Sequence, residues 1–346
     1  MSTNRPIVHI ADQISIEIIA FSRCRLTGTY IATIAAEYPR FVHAEIMTHR
    51  LFSRNAASSR AVPVKTLVEM VRTRPAMPTH WGKNEPGMVA NEECNNPVEV
   101  SPGVLLPREE AWVFGAAQMS NLALAFDAAG YHKQIVNRLT EPFQRYRVII
   151  TATCWDNFMW LRNHKDAQPE VQKVAKGIGH LLGKVDEGLD ALFGSVVAED
   201  LAPGEWHTPF VDHIRDNHNQ LVYVSQGIPV TTVEALQISS SCCGQVSYRK
   251  LDESLEKAIT MYGRLVESVP VHASPFEHQA TPMQKEIPCT LDAPMCDGVN
   301  TLEPGTWEKG ITHRDRAGKL WSANYCGWIQ YRQLIPGNVC LNYIPH

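Results

Sequence analysis

The sequence predicts an α+β protein: a mixed core of strands and helices without the regular strand–helix alternation of a doubly wound sheet. Three observations lead there. Residues 14–19 alternate, with Ile14, Ile16 and Ile18 apolar against Ser15 and Glu17, the pattern of a half-buried strand. Val171, Val174, Ala175, Ile178, Leu181, Leu182 and Val185 fall at helical spacing, and Pro169 suits the first turn of that helix. The stretch 283–346 is rich in Pro, Gly, Trp and Tyr and reads as short strands and loops.

The remaining elements follow in chain order. Gly28 marks a turn, and 30–34 is a second strand. Pro39 starts a helix running to about Thr48, and Asn55, Ser58 and Ser59 follow in a polar loop. Residues 76–107, rich in Pro, Gly and Asn, make an irregular excursion. A largely buried helix covers 109–129, closed by Gly130, and a short helix covers 132–139. Residues 146–154 have the β-branched content of a strand, although a buried helix also fits. The polar stretch 197–220 reads as a segment junction. A second clear helix covers 251–267, with Leu251, Leu255, Ala258, Ile259, Tyr262 and Val266 on one face.

Composition narrows the function classes. The 346 residues carry 32 Lys+Arg against 36 Asp+Glu, a net charge of −4, so bulk positive charge does not hold a nucleic acid here. With 44% hydrophobic residues the chain has the material for a core. No apolar run reaches membrane-spanning length, and the first residues lack a secretory pattern. Nine cysteines without a CxxC pair fit free, mostly packed thiols in a reducing cytoplasm.

The densest polar cluster is His49-Arg50-Leu51-Phe52-Ser53-Arg54-Asn55-Ala56-Ala57-Ser58-Ser59-Arg60, which holds guanidinium, hydroxyl, amide and imidazole groups and no carboxylate. Such a loop suits a phosphate, because guanidinium forks pair with oxyanions while hydroxyls and loop N–H groups add donors; a solvated surface loop fits equally well. In His272-Ala273-Ser274-Pro275-Phe276-Glu277-His278 the histidine spacing matches no zinc pattern, and a turn with hydrogen-bonding histidines is expected. His213 and His218 read as two solvated histidines, and no metal site is expected. Arg162 to Glu170 is a charged stretch ahead of a helix, capped by Asp166 or Gln168.

Together these clusters resemble the flavin-dependent thymidylate synthases, whose motif runs RHRxxSxNxxSxRY. His49, Arg50, Ser53, Asn55, Ser58 and Arg60 match it, while Thr48, Ala56 and Ala61 stand where the family has arginine, glutamate and tyrosine. Asn157-Phe158, Leu161-Arg162 and Ala167-Gln168-Pro169-Glu170 match the family's downstream run, and Arg138 sits at another nucleotide-binding arginine. Glu45, Thr151 and Thr153 are further departures. The family's N-terminal RVSF and HETPFEH elements resemble Gln245-Val246-Ser247-Tyr248 and the 272–278 stretch, at the other end of this chain. The resemblance therefore implies a circularly permuted segment order, similar to that of a divergent bacteriophage-type member. Permutation is tolerable where natural termini lie close together at the surface. The implied layout is a family-like segment at 1–200 with an insertion at about 61–128, a permuted segment at 201–282 and a C-terminal extension at 283–346.

The resemblance implies a homotetramer or other homo-oligomer with sites at subunit interfaces, in the cytoplasm of the cell or of a phage host. It implies FAD, NADPH and methylenetetrahydrofolate acting on a pyrimidine deoxynucleoside monophosphate. Ser247, His272, Ser274, His49, Arg50 and Asn157 would contact flavin. Ser58, Arg60, Arg138 and Arg162 would hold the nucleotide, with Arg162 facing the base and Ser58, Arg60 and Arg162 forming the catalytic set. A doubly charged phosphate suits the Arg60–Arg138–Ser58 group, and Arg162 would stabilise charge at C5. No cysteine nucleophile is assigned; Cys154 reads as a core residue, and Ser58 has no evident base beside it. The departures leave two other readings. One is a hydroxymethylase acting on dUMP or dCMP. The other is a catalytically silent nucleotide- or flavin-binding protein.

Overall fold

The computed structural model describes residues 5–183, 196–246, 251–284 and 307–340. In chain order β1 (Ile7–Ala11), β2 (Ile14–Cys24) and β3 (Tyr30–Pro39) are followed by α1 (His43–Met47), β4 (Ser53–Ala56) and α2 (Val64–Thr73). Next come β5 (Val98–Ser101), β6 (Val104–Leu106), α3 (Arg108–Ala128), α4 (Lys133–Val136), β7 (Arg145–Ala152), α5 (Asp156–Arg162) and α6 (Pro169–Leu181). Then come β8 (Glu199–Leu201), β9 (Asp212–Arg215), β10 (Leu221–Ser225), β11 (Ile228–Val230), α7 (Thr232–Gly244) and α8 (Leu255–Glu267). The chain closes on β12 (Ala280–Pro282), β13 (His313–Arg314), β14 (Leu320–Ser322), β15 (Tyr325–Cys326) and β16 (Trp328–Gln330). This is an α+β fold, and no described helix is long and apolar enough to cross a membrane.

The central sheet runs β1-β2-β3-β7-β4, with β8 added in parallel along β2. Its β2–β3 hairpin turns at Gly28, whose φ of 70° favours a residue without a Cβ. Because side chains alternate along a strand, β3 and β7 each supply two faces. Ala32, Ile34 and Ala36 with Val148, Ile150 and Ala152 face α6 and form a dry core with Val171, Val174, Ala175 and Ile178. Gly177 allows that close approach; a Cβ there would lie 2.7 Å from Ile16 and 2.9 Å from Ile10.

The opposite face is covered by α7 and α8. Ile19, Ala35 and Ile149 pack with Ala235, Ile238, Cys242, Cys243 and Ala258. The same face carries a buried polar chain. Ser22 meets His207 Nδ1 at 2.8 Å, and His207 Nε2 meets Thr33 at 2.9 Å. Thr33 meets Thr151 at 2.7 Å, and Thr151 meets His278 Nδ1 at 2.8 Å. Burial holds both imidazoles neutral, His278 down to about 3 and His207 well below its ordinary value. The hydrogen-bonding turn expected at 272–278 is thus present at His278.

Several expectations need correction. Residues 53–56 form a strand paired with β7, not a loop. The predicted 39–48 helix begins as a 3-10 turn, Arg40–Val42, before α1. Helix α3 is mostly solvent-facing, with only Ala116, Ser120 and Ala123 buried. Its contacts to the rest include Ala123, packed with Val64, Val68 and Val136, and Trp112, which donates to the Ala76 carbonyl at 2.8 Å. His213 is not solvated: it bonds Thr208 at 2.7 Å and burial pushes it down to about 4. Helix α7, unforeseen, opens on a Thr231–Glu234 capping box, a start signal that the sequence does contain.

Candidate functional site

The polar cluster is built where α1 ends. A helix C-terminus leaves carbonyls without intrahelical partners. Arg54 reaches back from β4 and supplies them, its Nη1 donating to the Ile46, Met47 and His49 carbonyls at 3.0–3.1 Å. One of the cluster's guanidinium groups is therefore spent on the fold. Burial lowers the Arg54 pKa, opposed by the nearby Tyr38 and Glu277.

His49 turns inward beside it. Its ring meets Phe158 edge-on at 4.8 Å and Phe52 at 5.7 Å. Its Nε2 accepts from Arg162 Nε at 2.9 Å, so Nδ1 carries the proton of the neutral ring. Burial first, then the Arg162 and Arg54 charges, push His49 down to about 4. Arg162 Nη2 also donates to the Thr48 hydroxyl at 3.2 Å. The last turn of α5 is thereby tied to the 48–49 turn, and the first turn of α5 carries Asn157, which is exposed.

The far end of the cluster is held separately. Ala57 donates to the Arg147 carbonyl at 3.1 Å, and the Arg60 amide donates to the Ser58 hydroxyl at 3.3 Å. Asn137 clamps the following turn, donating to the Ser59 and Val62 carbonyls at 2.6 and 2.9 Å. Its chain neighbour Arg138 is exposed and lies 3.7 Å from Glu141. Arg50 and Arg60 are exposed, and among the described residues no group hydrogen-bonds either guanidinium.

The stretch from α7 to the Ser274–Glu277 turn comes to this same strand. Asn55 donates to the Cys243 carbonyl at the end of α7 at 3.0 Å, and the 3-10 turn Ser274–Glu277 packs against β4. His272 and Ser274 are exposed at the start of that turn. Val246 and Ser58 line one groove of about 260 Å³ together with Arg145 and Arg147. Ser247 lies outside the described residues.

The C-terminal stretch reaches the site as well, a part that sequence reasoning left unassigned. Asn324 donates to the Leu51 carbonyl at 3.0 Å and to the Ser53 hydroxyl at 3.1 Å, and Gln330 donates to Ser53 at 3.2 Å. The motif serine Ser53 thus faces the protein interior. Cys154 is also not a core residue: it is half-buried and lines a cavity beside the start of α5.

No family model matches the chain, and no curated protein matches it. Among solved structures the chain is similar to the flavin-dependent thymidylate synthase ThyX from Helicobacter pylori in complex with FAD and dUMP. The identity is 17%, the match covers 48% of this chain and 72% of that chain, and the TM-score is 0.30.

Proposed function

We propose that the protein is a flavin-dependent enzyme that transfers a one-carbon unit from methylenetetrahydrofolate to C5 of dUMP, giving dTMP with NADPH as reductant. One observation carries the reading. The 48–60 motif and the 243–278 stretch, far apart in sequence, meet at β4 through the Asn55–Cys243 hydrogen bond and the Ser274–Glu277 turn. Chain order alone gives no reason for that meeting; a shared site does.

The donor set fits a flavin dinucleotide. Its anionic and carbonyl groups need cations and N–H or O–H donors, and Arg50, Asn157, His272 and Ser274 offer these from exposed positions. His49 is neutral and buried, so it adds no charge of its own. When bound, the flavin supplies the reducing equivalents. The chain's residues bind and orient. In this reading Ser58, Arg60 and Arg138 take the nucleotide phosphate, and Ser247 joins the flavin side.

Arg162 is aimed by its neighbours. Its Nε and one Nη2 hydrogen are committed to His49 and Thr48, which leaves the Nη1 donors for a base carbonyl. A guanidinium fixed before reaction stabilises charge developing on the ring without reorganising. The assembly is proposed as a homo-oligomer.

The test is to incubate the protein with FAD, NADPH, methylenetetrahydrofolate and dUMP and to read the nucleotide products by mass spectrometry. Gain of a methyl group is expected. Gain of a hydroxymethyl group from dUMP, or from dCMP offered next, would replace this reading with a hydroxymethylase. Nucleotide binding with no product would replace it with a silent binder.

A further inference from the structure

A second cavity lies away from the 48–60 motif, at the turn that leads into α5. It has a volume of about 630 Å³, and its wall includes Cys154, Cys326, Lys319, Tyr30 and Trp155. The two cysteines come from distant parts of the chain. The Cys326 backbone N–H donates to the Thr153 hydroxyl at 3.0 Å, which fixes β15 against the end of β7. The side chains line the same cavity wall, and the nearby Cys326 thiol is the largest influence lowering the Cys154 pKa. Both cysteines are free, and both are partly exposed on the cavity.

We propose that Cys154 is a reactive thiolate that takes small anionic disulfides from this cavity, and that Cys326 resolves the resulting mixed disulfide into a Cys154–Cys326 bond.

The chemistry balances. The Cys154 thiolate attacks one sulfur of a disulfide R–S–S–R, a new S–S bond forms, the old one breaks, and RS⁻ leaves to take up a proton. The Cys326 thiol then releases its proton to solvent and attacks the Cys154 sulfur, expelling the second RS⁻. Two protein thiols are oxidised, and one disulfide is reduced to two thiols.

The surroundings divide the roles. The Cys326 thiol and the Thr153 hydroxyl, 3.7 Å away, donate toward Cys154, and the Lys319 ammonium adds positive charge; burial and the Asp156 carboxylate oppose them. The balance pulls Cys154 down to about 6. Cys326 is pushed up by that neighbour and by burial, with Lys319 and Asp315 acting in opposite directions on it. Cys154, the lowered member of the pair, is therefore the attacking sulfur. Arg23 also lines the cavity, but Asp200 holds it through two bonds at 2.6 and 2.8 Å. Lys319 is the cation left to favour an anionic partner such as a peptide disulfide. Cys242 and Cys243 differ: both are buried in the α7–sheet core, and burial pushes their thiols up.

The experiment uses the full reduced chain and glutathione disulfide as the probe, read by intact mass and peptide mapping. The wild type should lose two hydrogens and yield a Cys154–Cys326 cross-linked peptide. Cys326→Ser should instead stop at one glutathione on Cys154. The rate of iodoacetamide alkylation at Cys154 in wild type should rise with pH to half-maximum near 6, and Lys319→Ala should move that midpoint upward. A midpoint at about 8.5, the ordinary thiol value, would overturn the proposal. So would glutathione found on Cys340 and not on Cys154.

Discussion

Arg54 and Arg60 stand in the same short segment and have opposite environments. Arg54 is half-buried, and its Nη1 serves three carbonyls at the end of α1. Arg60 is exposed, with no protein partner for its guanidinium among the described residues. The same division runs through the whole cluster. His49, Ser53, Arg54 and Asn55 hold the turn and β4 in place, while Arg50 and Arg60 face outward. A motif rich in arginine is thus two devices. One shapes the backbone, and the other is left to meet a ligand.

Acid should separate the two devices most strongly. His49 and His43 titrate near 4, chiefly because of burial, against an ordinary value of 6.5. Their folded-state pKa is depressed, so the unfolded chain binds more protons between those values. Stability is then fully present above pH 6.5 and is lost as pH falls toward 4. A shift of this size corresponds to roughly 3 kcal/mol for a fully buried histidine and to about half of that for these partly exposed rings, where solvent screens the charge. Urea titrations at stepped pH should show a falling midpoint across that window. A flat profile would mean that the imidazoles are not buried as described.

Arg54→Ala is the next largest. Removing a charged donor from three carbonyls should cost about 3 kcal/mol of unfolding free energy, seen as a lower urea midpoint. A loss below about 1 kcal/mol, the level of a single neutral hydrogen bond, would place Arg54 with the outward set.

Arg162 sits between the sets, since it is tied to His49 yet has donors to spare. Arg162→Ala should cost about 1–2 kcal/mol of stability. It should also raise the His49 pKa, because the Arg162 charge is one of the causes that lower it. An NMR titration of the His49 ring reads this directly. An unchanged His49 pKa would break the link between α5 and the motif.

The sheet shows what was legible in the sequence. Its dry face announces itself through alternation in β2 and through the helical period of α6. Its other face does not, because Ser22, Thr33 and Thr151 look like ordinary strand residues until His207 and His278 reach them from elsewhere. Strand β4 was hidden because Ser53-Arg54-Asn55-Ala56 has no apolar alternation and owes its conformation to pairing with β7. Helix α3 misled through its apolar content, as Val113, Phe114 and Leu122 remain exposed. The site's residue types were readable from the motif. Which arginines turn inward was not, because that depends on where α1 ends. Cys154 gave no local signal at all; its partner Cys326 is a tertiary neighbour.

Calorimetric titration of dUMP into the wild type and into Arg60→Ala tests the central claim most directly. Saturable binding to the wild type is expected, weakened in the variant by roughly 1.5–3 kcal/mol, the range for a hydrogen bond to a charged group. The variant's urea midpoint should stay unchanged. Equal affinity in the two proteins, or no binding to the wild type, would contradict the assignment of the outward arginines to a nucleotide phosphate.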